Sequence, residues 1–147
     1  MDSSLVYLVQ TDTTVGFLSS DDKKLSTIKQ RDPNQKTLQV VDSFKTLLKY
    51  TRIPKKMRKL VRNSKITTFI YPNKLSFRVV DKNSLHHNFI KKFSCLYSTS
   101  ANITKQDFNE KFAFNNSDII VYNKNKFSQN ISSSIYKLNN IKIKKLR

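Results

Sequence analysis

The sequence predicts a single α/β domain, residues 1–147, built on one twisted mixed sheet with flanking helices. Its length suits one domain. Ten Phe and six Tyr, within 37% hydrophobic residues, supply the core that a disordered chain lacks. Short runs of strand formers alternate irregularly with amphipathic stretches, the pattern of a mixed sheet.

Leu5–Val9 is an apolar run that reads as a buried first strand. A polar turn, Gln10 to Thr14, leads into Val15-Gly16-Phe17-Leu18. Ser19-Ser20-Asp21-Asp22 is a helix start, with capping side chains and acids at the positive helix end. Leu25 and Ile28 share one face of that helix, and Pro33 disfavours helical geometry at Asp32, so the helix ends near Arg31. Leu38–Val41 is a short strand. Asp42 is the expected cap of a helix carrying Phe44, Leu47 and Leu48. Pro54 suits the first turn of the next helix, whose stripe is Ile53, Met57, Leu60 and Val61. Ile66–Tyr71 and Leu75–Val80 flank Pro72-Asn73-Lys74 as a hairpin. Leu85, Phe89, Ile90 and Phe93 mark a further helix. Its His86-His87 pair has no carboxylate nearby in sequence and reads as surface or half-buried. Leu96–Ser98, Asp118–Tyr122, Ser134–Leu138 and Ile141–Ile143 bring the total to seven or eight short strands, with Cys95 as a small core residue.

Composition excludes several function classes. One Gly (Gly16) cannot build a Walker loop or a dinucleotide fingerprint. One Cys rules out a disulfide framework and a thiolate metal cluster, and suits a reducing cytoplasm. No basic region precedes a long apolar run near Met1, and no apolar stretch approaches ~18 residues, so neither a secretory leader nor a membrane partner is expected. The net charge of +18 is unevenly spread: residues 1–42 hold five basic and six acidic side chains, residues 43–147 hold 23 and four. Such a chain attracts polyanions. The 22 Lys against six Arg, with 14 Asn, also follow from A/T-rich coding. The basic helix from Arg52 to Arg62 is accordingly either an RNA contact or a solvated face.

Four groups of residues could carry chemistry. Thr11-Asp12-Thr13-Thr14-Val15-Gly16 is a hydroxyl-rich turn at a strand end, where open α/β sheets bind ligands. Lys29 and Arg31, two apart in an extended or fraying segment, would point the same way and converge on one anion. Ser98-Thr99-Ser100-Ala101-Asn102 clusters small donors and acceptors suited to phosphates without Gly. Ser133 and Arg147 stand before a strand and at the last position. Taken singly, each also reads as an ordinary turn or solvated polar group.

In order along the chain, these pieces resemble the YrdC/TsaC family. Thr11 to Gly16, Lys29-x-Arg31 and Leu38-Gln39-Val40-Val41 match the family's opening. Thr67-Thr68-Phe69-Ile70-Tyr71-Pro72 resembles its Thr-bearing strand, Phe77-Arg78-Val79-Val80 its Val-Arg-Val strand, and Ser100-Ala101-Asn102 its Ser-x-Asn signature. Ser132-Ser133-Ser134-Ile135 and Leu146-Arg147 resemble its closing elements. The resemblance implies a YrdC-like open barrel and the activity of threonylcarbamoyladenylate synthase. That enzyme forms threonylcarbamoyl-AMP and pyrophosphate from ATP, L-threonine and bicarbonate, for modification of tRNA position 37 with partner proteins. It further implies that Lys29, Arg31, Ser100 and Asn102 hold the triphosphate with its Mg²⁺. Ser133 and Arg147 would bind the nucleotide, and Thr11, Thr67 and Arg78 the threonine and bicarbonate end. The protein would supply no metal ligand, and Lys29 and Arg31 would act catalytically through their charge.

The chain departs from the family at Gln10, Val15, Asp32 and Thr37, in the turn Asn63-Ser64-Lys65-Ile66, and at Ile103-Thr104-Lys105. Losing Pro and Gly there changes turn geometry. These departures and the charge of residues 43–147 leave a second reading open, a non-catalytic protein on the same fold that binds double-stranded RNA, tRNA or rRNA.

Overall fold

A computed structural model describes residues 1–147. Nine strands form one open sheet in the order β7-β1-β2-β6-β3-β5-β4-β8-β9. The strands are β1 Tyr7–Gln10, β2 Val15–Ser19, β3 Gln39–Val41, β4 Thr67–Ile70, β5 Ser76–Val79, β6 Cys95–Ser100, β7 Ile119–Val121, β8 Ser134–Leu138 and β9 Ile143–Lys145. Three neighbouring pairs are parallel (β1 with β7, β3 with β5, β4 with β8) and the rest antiparallel. The mixed α/β class expected from the sequence is the one observed.

The helices are short: α1 Asp22–Ile28, α2 Phe44–Tyr50, α3 Arg58–Asn63 after a 3-10 turn at Lys55–Met57, α4 Leu85–Ile90 and α5 Glu110–Asn115. At this length they gain their stability from packing rather than from helical propensity. Strand alternation sets what they cover. Phe69 of β4 and Phe77 of β5 turn to one face, where Leu47 of α2 and Met57 and Val61 of the next helical segment bury them. A second cluster joins Tyr7, Leu18 and Leu96 to Phe89 and Ile90 of α4, and a third packs Leu25 of α1 against Leu8 and Phe17. The opposite face of β4 and β5 carries Thr68 and Arg78.

Several local expectations change. Ser43, not Asp42, caps α2: its hydroxyl accepts from the Thr46 N–H, while Asp42 accepts from the Ser43 and Thr46 hydroxyls. Helix α1 stops at Ile28, because Lys29 closes it and Gln30 takes a left-handed φ of 51°. Helix α5 was not expected, since only Ala113 of its six residues is buried and its apolar periodicity is too brief to register. Residues 139–142 form a turn, held by the Asn139 carboxamide, so the last strand starts at Ile143 and not Ile141. Leu48, Leu60 and Leu85, read as core-facing, are exposed.

Gly16 marks a close backbone approach. A Cβ there would sit 3.0 Å from the Thr99 carbonyl oxygen and 3.2 Å from the Thr11 methyl. Because Gly16 pairs with Ser100 across β2 and β6, Gly16→Val should cost about 1–3 kcal/mol of unfolding free energy. Denaturant titration against wild type measures it.

Candidate functional site

The face of β4, β5 and β8 opposite Phe69 and Phe77, together with the β1–β2 turn and the end of β6, encloses a cleft of about 440 Å³. Only three of its 19 lining residues are hydrophobic. Thr68 and Ile70 from β4, Ser76 and Arg78 from β5, and Ile135 from β8 reach it because they alternate with residues in the helix-covered core. Four cations line it, Arg31, Lys36, Arg78 and Arg147, and no carboxylate does. Hydroxyls of Thr11, Thr13, Ser98, Ser100 and Ser133 supply fixed donors and acceptors between them. Such a cavity favours a small polyanionic ligand.

Of the residues singled out in the sequence, Thr11, Arg31, Arg78, Ser100, Ser133 and Arg147 line this one cleft. Ser133 is buried and shares a 2.9 Å hydrogen bond with Thr68, and Arg147 Nε donates to the Ser133 carbonyl at 3.1 Å. Thr67 does not line it. Its hydroxyl donates to the Lys65 carbonyl, and strand alternation puts Thr68 in the cleft instead. Asn102 lies beside the cleft, in a 120 Å³ hollow that shares Ser100 and Ser132 with it.

Lys29 and Arg31 reach this region by separate routes. The segment between them is not extended, so the expectation of two parallel side chains fails at Gln30. The Lys29 ammonium donates to the Ser100 carbonyl at 3.0 Å, to the Asn102 carboxamide oxygen at 3.2 Å and to the Asn102 carbonyl, with the Ser100 hydroxyl at 3.5 Å. Burial and the nearby Arg31 push its pKa down to about 8. Lys29 thus braces the Ser100–Asn102 segment from behind, while Arg31 is on the cleft wall. The Arg31 guanidinium donates to the Thr37 hydroxyl, which in turn donates to Asp22. Thr37 is a residue whose part the sequence did not signal.

The sequence also missed a buried charge cluster. Asp12 Oδ1 lies 3.0 Å from Arg78 Nη2 and 3.4 Å from His86 Nδ1, with all three side chains at most 5% exposed. The Asp12–Arg78 contact is an ion pair by distance with its N–H direction off line, so charge attraction holds it rather than an aligned hydrogen bond. Arg78 Nε and His86 Nε2 have no partner in the protein. Burial alone would raise the Asp12 pKa, but His86 and Arg78 outweigh it and hold the carboxyl below its usual range. Burial pushes the His86 pKa down, only partly opposed by Asp12. The expectation of a surface or half-buried His86 is therefore corrected. Its carboxylate partner comes from a turn 74 positions earlier in the chain, invisible to a local reading.

No known protein-family profile matches this chain. It is 32% identical over 108 residues to an uncharacterized protein of Mycoplasma pneumoniae, the MG259 homolog, and those residues make up 72% of this chain and 22% of that protein. The chain thus spans about a fifth of that relative's length. Among solved structures, it superposes on a Sua5 variant of P. abyssi with a TM-score of 0.80 at 12% identity, over 98% of this chain and 52% of that one. P. abyssi Sua5 complexed with L-threonine gives 0.78 at 14%, over 98% and 50%. E. coli YciO gives 0.74 at 13%, over 98% and 82%.

Because His86 titrates lower in the folded than in the unfolded chain, the unfolded state binds the extra proton below about pH 6.5, and stability falls as pH drops through that range. Thermal midpoints between pH 7 and pH 5 should decline in wild type and decline less in His86→Gln. At the identities above the likeness is one of architecture, and the chain has the YrdC-like fold.

Proposed function

We propose that this chain is a short, divergent member of the YrdC/TsaC family. In this reading it acts as a threonylcarbamoyladenylate synthase, using ATP, L-threonine and bicarbonate. The observation that supports it most is the gathering of Arg31, Arg78, Arg147, Ser100 and Ser133 around a single polar cleft. A neighbour of the same fold, Sua5, has been crystallised with L-threonine, which agrees with an amino-acid subsite.

The chemistry asks for positioning rather than for an activated side chain. The threonine amine takes up bicarbonate with loss of water to give an N-carboxylate. An oxygen of that carbamate attacks the α-phosphorus of ATP, the bond to the β-phosphate oxygen breaks, and pyrophosphate leaves. The nucleophile is already an anion, so no Ser-His-Asp array is required. What lowers the barrier is bringing two anions together and stabilising charge on the α-phosphate and the leaving pyrophosphate. Arg31, Lys36 and Arg147 would supply converging charge, and Ser100 and Ser133 fixed donors. Lys29 would hold Ser100 and Asn102 in place and add its own charge. Thr11 and Arg78 would take the threonine and bicarbonate end. With no carboxylate on the cleft wall, Mg²⁺ would arrive on the phosphates of ATP and keep water ligands, as it does in most nucleotide sites. The product would pass to partner proteins that modify tRNA at position 37.

Purified protein given MgATP, bicarbonate and L-threonine should release pyrophosphate only when threonine is present. Arg31→Ala should lower kcat/KM by about 100-fold or more, roughly 3 kcal/mol of transition-state stabilisation, with its melting temperature little changed. Threonine-independent release, or wild-type turnover in Arg31→Ala, would refute the reading.

A specific surface favours the second reading, RNA binding on the same fold. Arg52, Lys55 and Lys56 border a hollow of about 760 Å³ between the helical segment and the β4–β5 hairpin, with no acidic residue among its lining. If RNA docks there, affinity for a double-stranded RNA or tRNA should fall steeply with salt. Replacing all three cations by Ala should lower the slope of log K against log salt by about 2 to 3. An unchanged slope removes this surface from consideration.

A further inference from the structure

Asp12, Arg78 and His86 form a buried group that the cleft chemistry above leaves without a role for two of its members. They come from the β1–β2 turn, β5 and α4, three elements brought together only by folding. Arg78 is the member that also lines the cleft. Asp12 is its sole polar partner in the protein, and its Nε–H has no acceptor at all. A buried donor left unpaired is costly, so the guanidinium is held in place by Asp12 with little help from the rest of the protein, while its residue lines the cleft.

We propose that Asp12 is a positioning residue: it holds the Arg78 guanidinium against the cleft, with His86 meeting the same Asp12 oxygen, Oδ1, so that the N–H groups of Arg78 that face the cleft are presented to the carboxylate of the amino-acid substrate. The inference rests on the synthase reading for the identity of that substrate. A carboxylate suits the place better than a phosphate. Asp12 already neutralises most of the Arg78 charge, so the guanidinium offers directed donors in a planar fork more than net positive potential. The un-neutralised cations Lys36 and Arg147 line the same cleft and suit phosphates. The guanidinium has no backbone carbonyl to fix its plane, so without Asp12 its rotamer would be set by the ligand alone, at a cost in affinity.

Positioning and simple charge neutralisation make opposite predictions. If Asp12 merely cancels charge, its removal leaves a bare guanidinium and tightens binding of any anion. If Asp12 positions Arg78, its removal weakens binding of threonine alone. Steady-state pyrophosphate release by the full chain should show the KM for L-threonine rising about tenfold or more in Asp12→Ala, with the KM for ATP within about twofold of wild type. Asp12→Glu, which keeps a charged carboxylate to hold Arg78, should recover part of that loss. His86→Phe should raise the threonine KM by a smaller factor. A ligand-independent reading accompanies this. The Arg78 Nε–H resonance, assigned by its loss in Arg78→Lys, should be protected from solvent exchange in wild type and broadened in Asp12→Ala. A threonine KM unchanged or lowered in Asp12→Ala overturns the proposal, as does an unchanged Arg78 resonance. If Asp12→Ala fails to fold, an unchanged threonine KM and Arg78 resonance in His86→Phe overturns it equally. Wild-type protein that releases no pyrophosphate would end the synthase reading, and the Arg78 resonance would then decide the positioning role by itself.

Discussion

A β-strand must send successive side chains to opposite faces, and in β4 and β5 that constraint ties core to cleft. Phe69 and Phe77 cannot be buried under α2 and α3 unless Thr68 and Arg78 turn the other way. A one-residue slip in the register of β4 would exchange the two sets, putting a phenylalanine in the cleft and a hydroxyl in the core. The apolar packing that stabilises the domain therefore also decides which polar groups face the cleft. Thr67 and Thr68 are alike in chemistry, and only their parity in the strand separates a half-buried residue on the Phe69 side from a cleft residue.

The second organising feature is where the carboxylates stand. None lines the cleft, yet two of its arginines are tied to acids behind it: Arg78 to Asp12 directly, and Arg31 to Asp22 through the Thr37 hydroxyl. Both acids belong to the first 42 residues, the one part of the chain that is not strongly basic. This arrangement orients guanidinium groups without placing negative charge where an anionic ligand would sit. Lys29 adds a third tie, holding the Ser100–Asn102 segment to the end of α1. The cleft is thus built from elements far apart in the chain and held by polar contacts that cross between them.

Much of the architecture was legible in the sequence because it is written in local terms. Apolar runs such as Leu38–Val41 and Leu75–Val80 needed no partner to be recognised as strands, and Ser19-Ser20-Asp21-Asp22 announced the start of α1. Helix α5 escaped because a six-residue element with one buried side chain leaves almost no periodic signal. The geometry of Lys29 and Arg31 was misread for a related reason. A left-handed φ at Gln30, a residue with no strong preference for it, breaks the extended segment that their parallel arrangement required.

From composition and pattern alone come the α/β class, the basic balance, the absence of a glycine-rich phosphate loop, and the polar segments at Thr11–Thr14 and Ser98–Asn102. These follow from residue type and near-neighbour spacing, which one dimension records in full. Folding alone decided that Asp12 would meet Arg78 and His86, that Thr37 would join Arg31 to Asp22, and that Thr68 rather than Thr67 would face the cleft. Such contacts depend on the order in which nine strands are laid side by side, and no short stretch of the chain encodes that order.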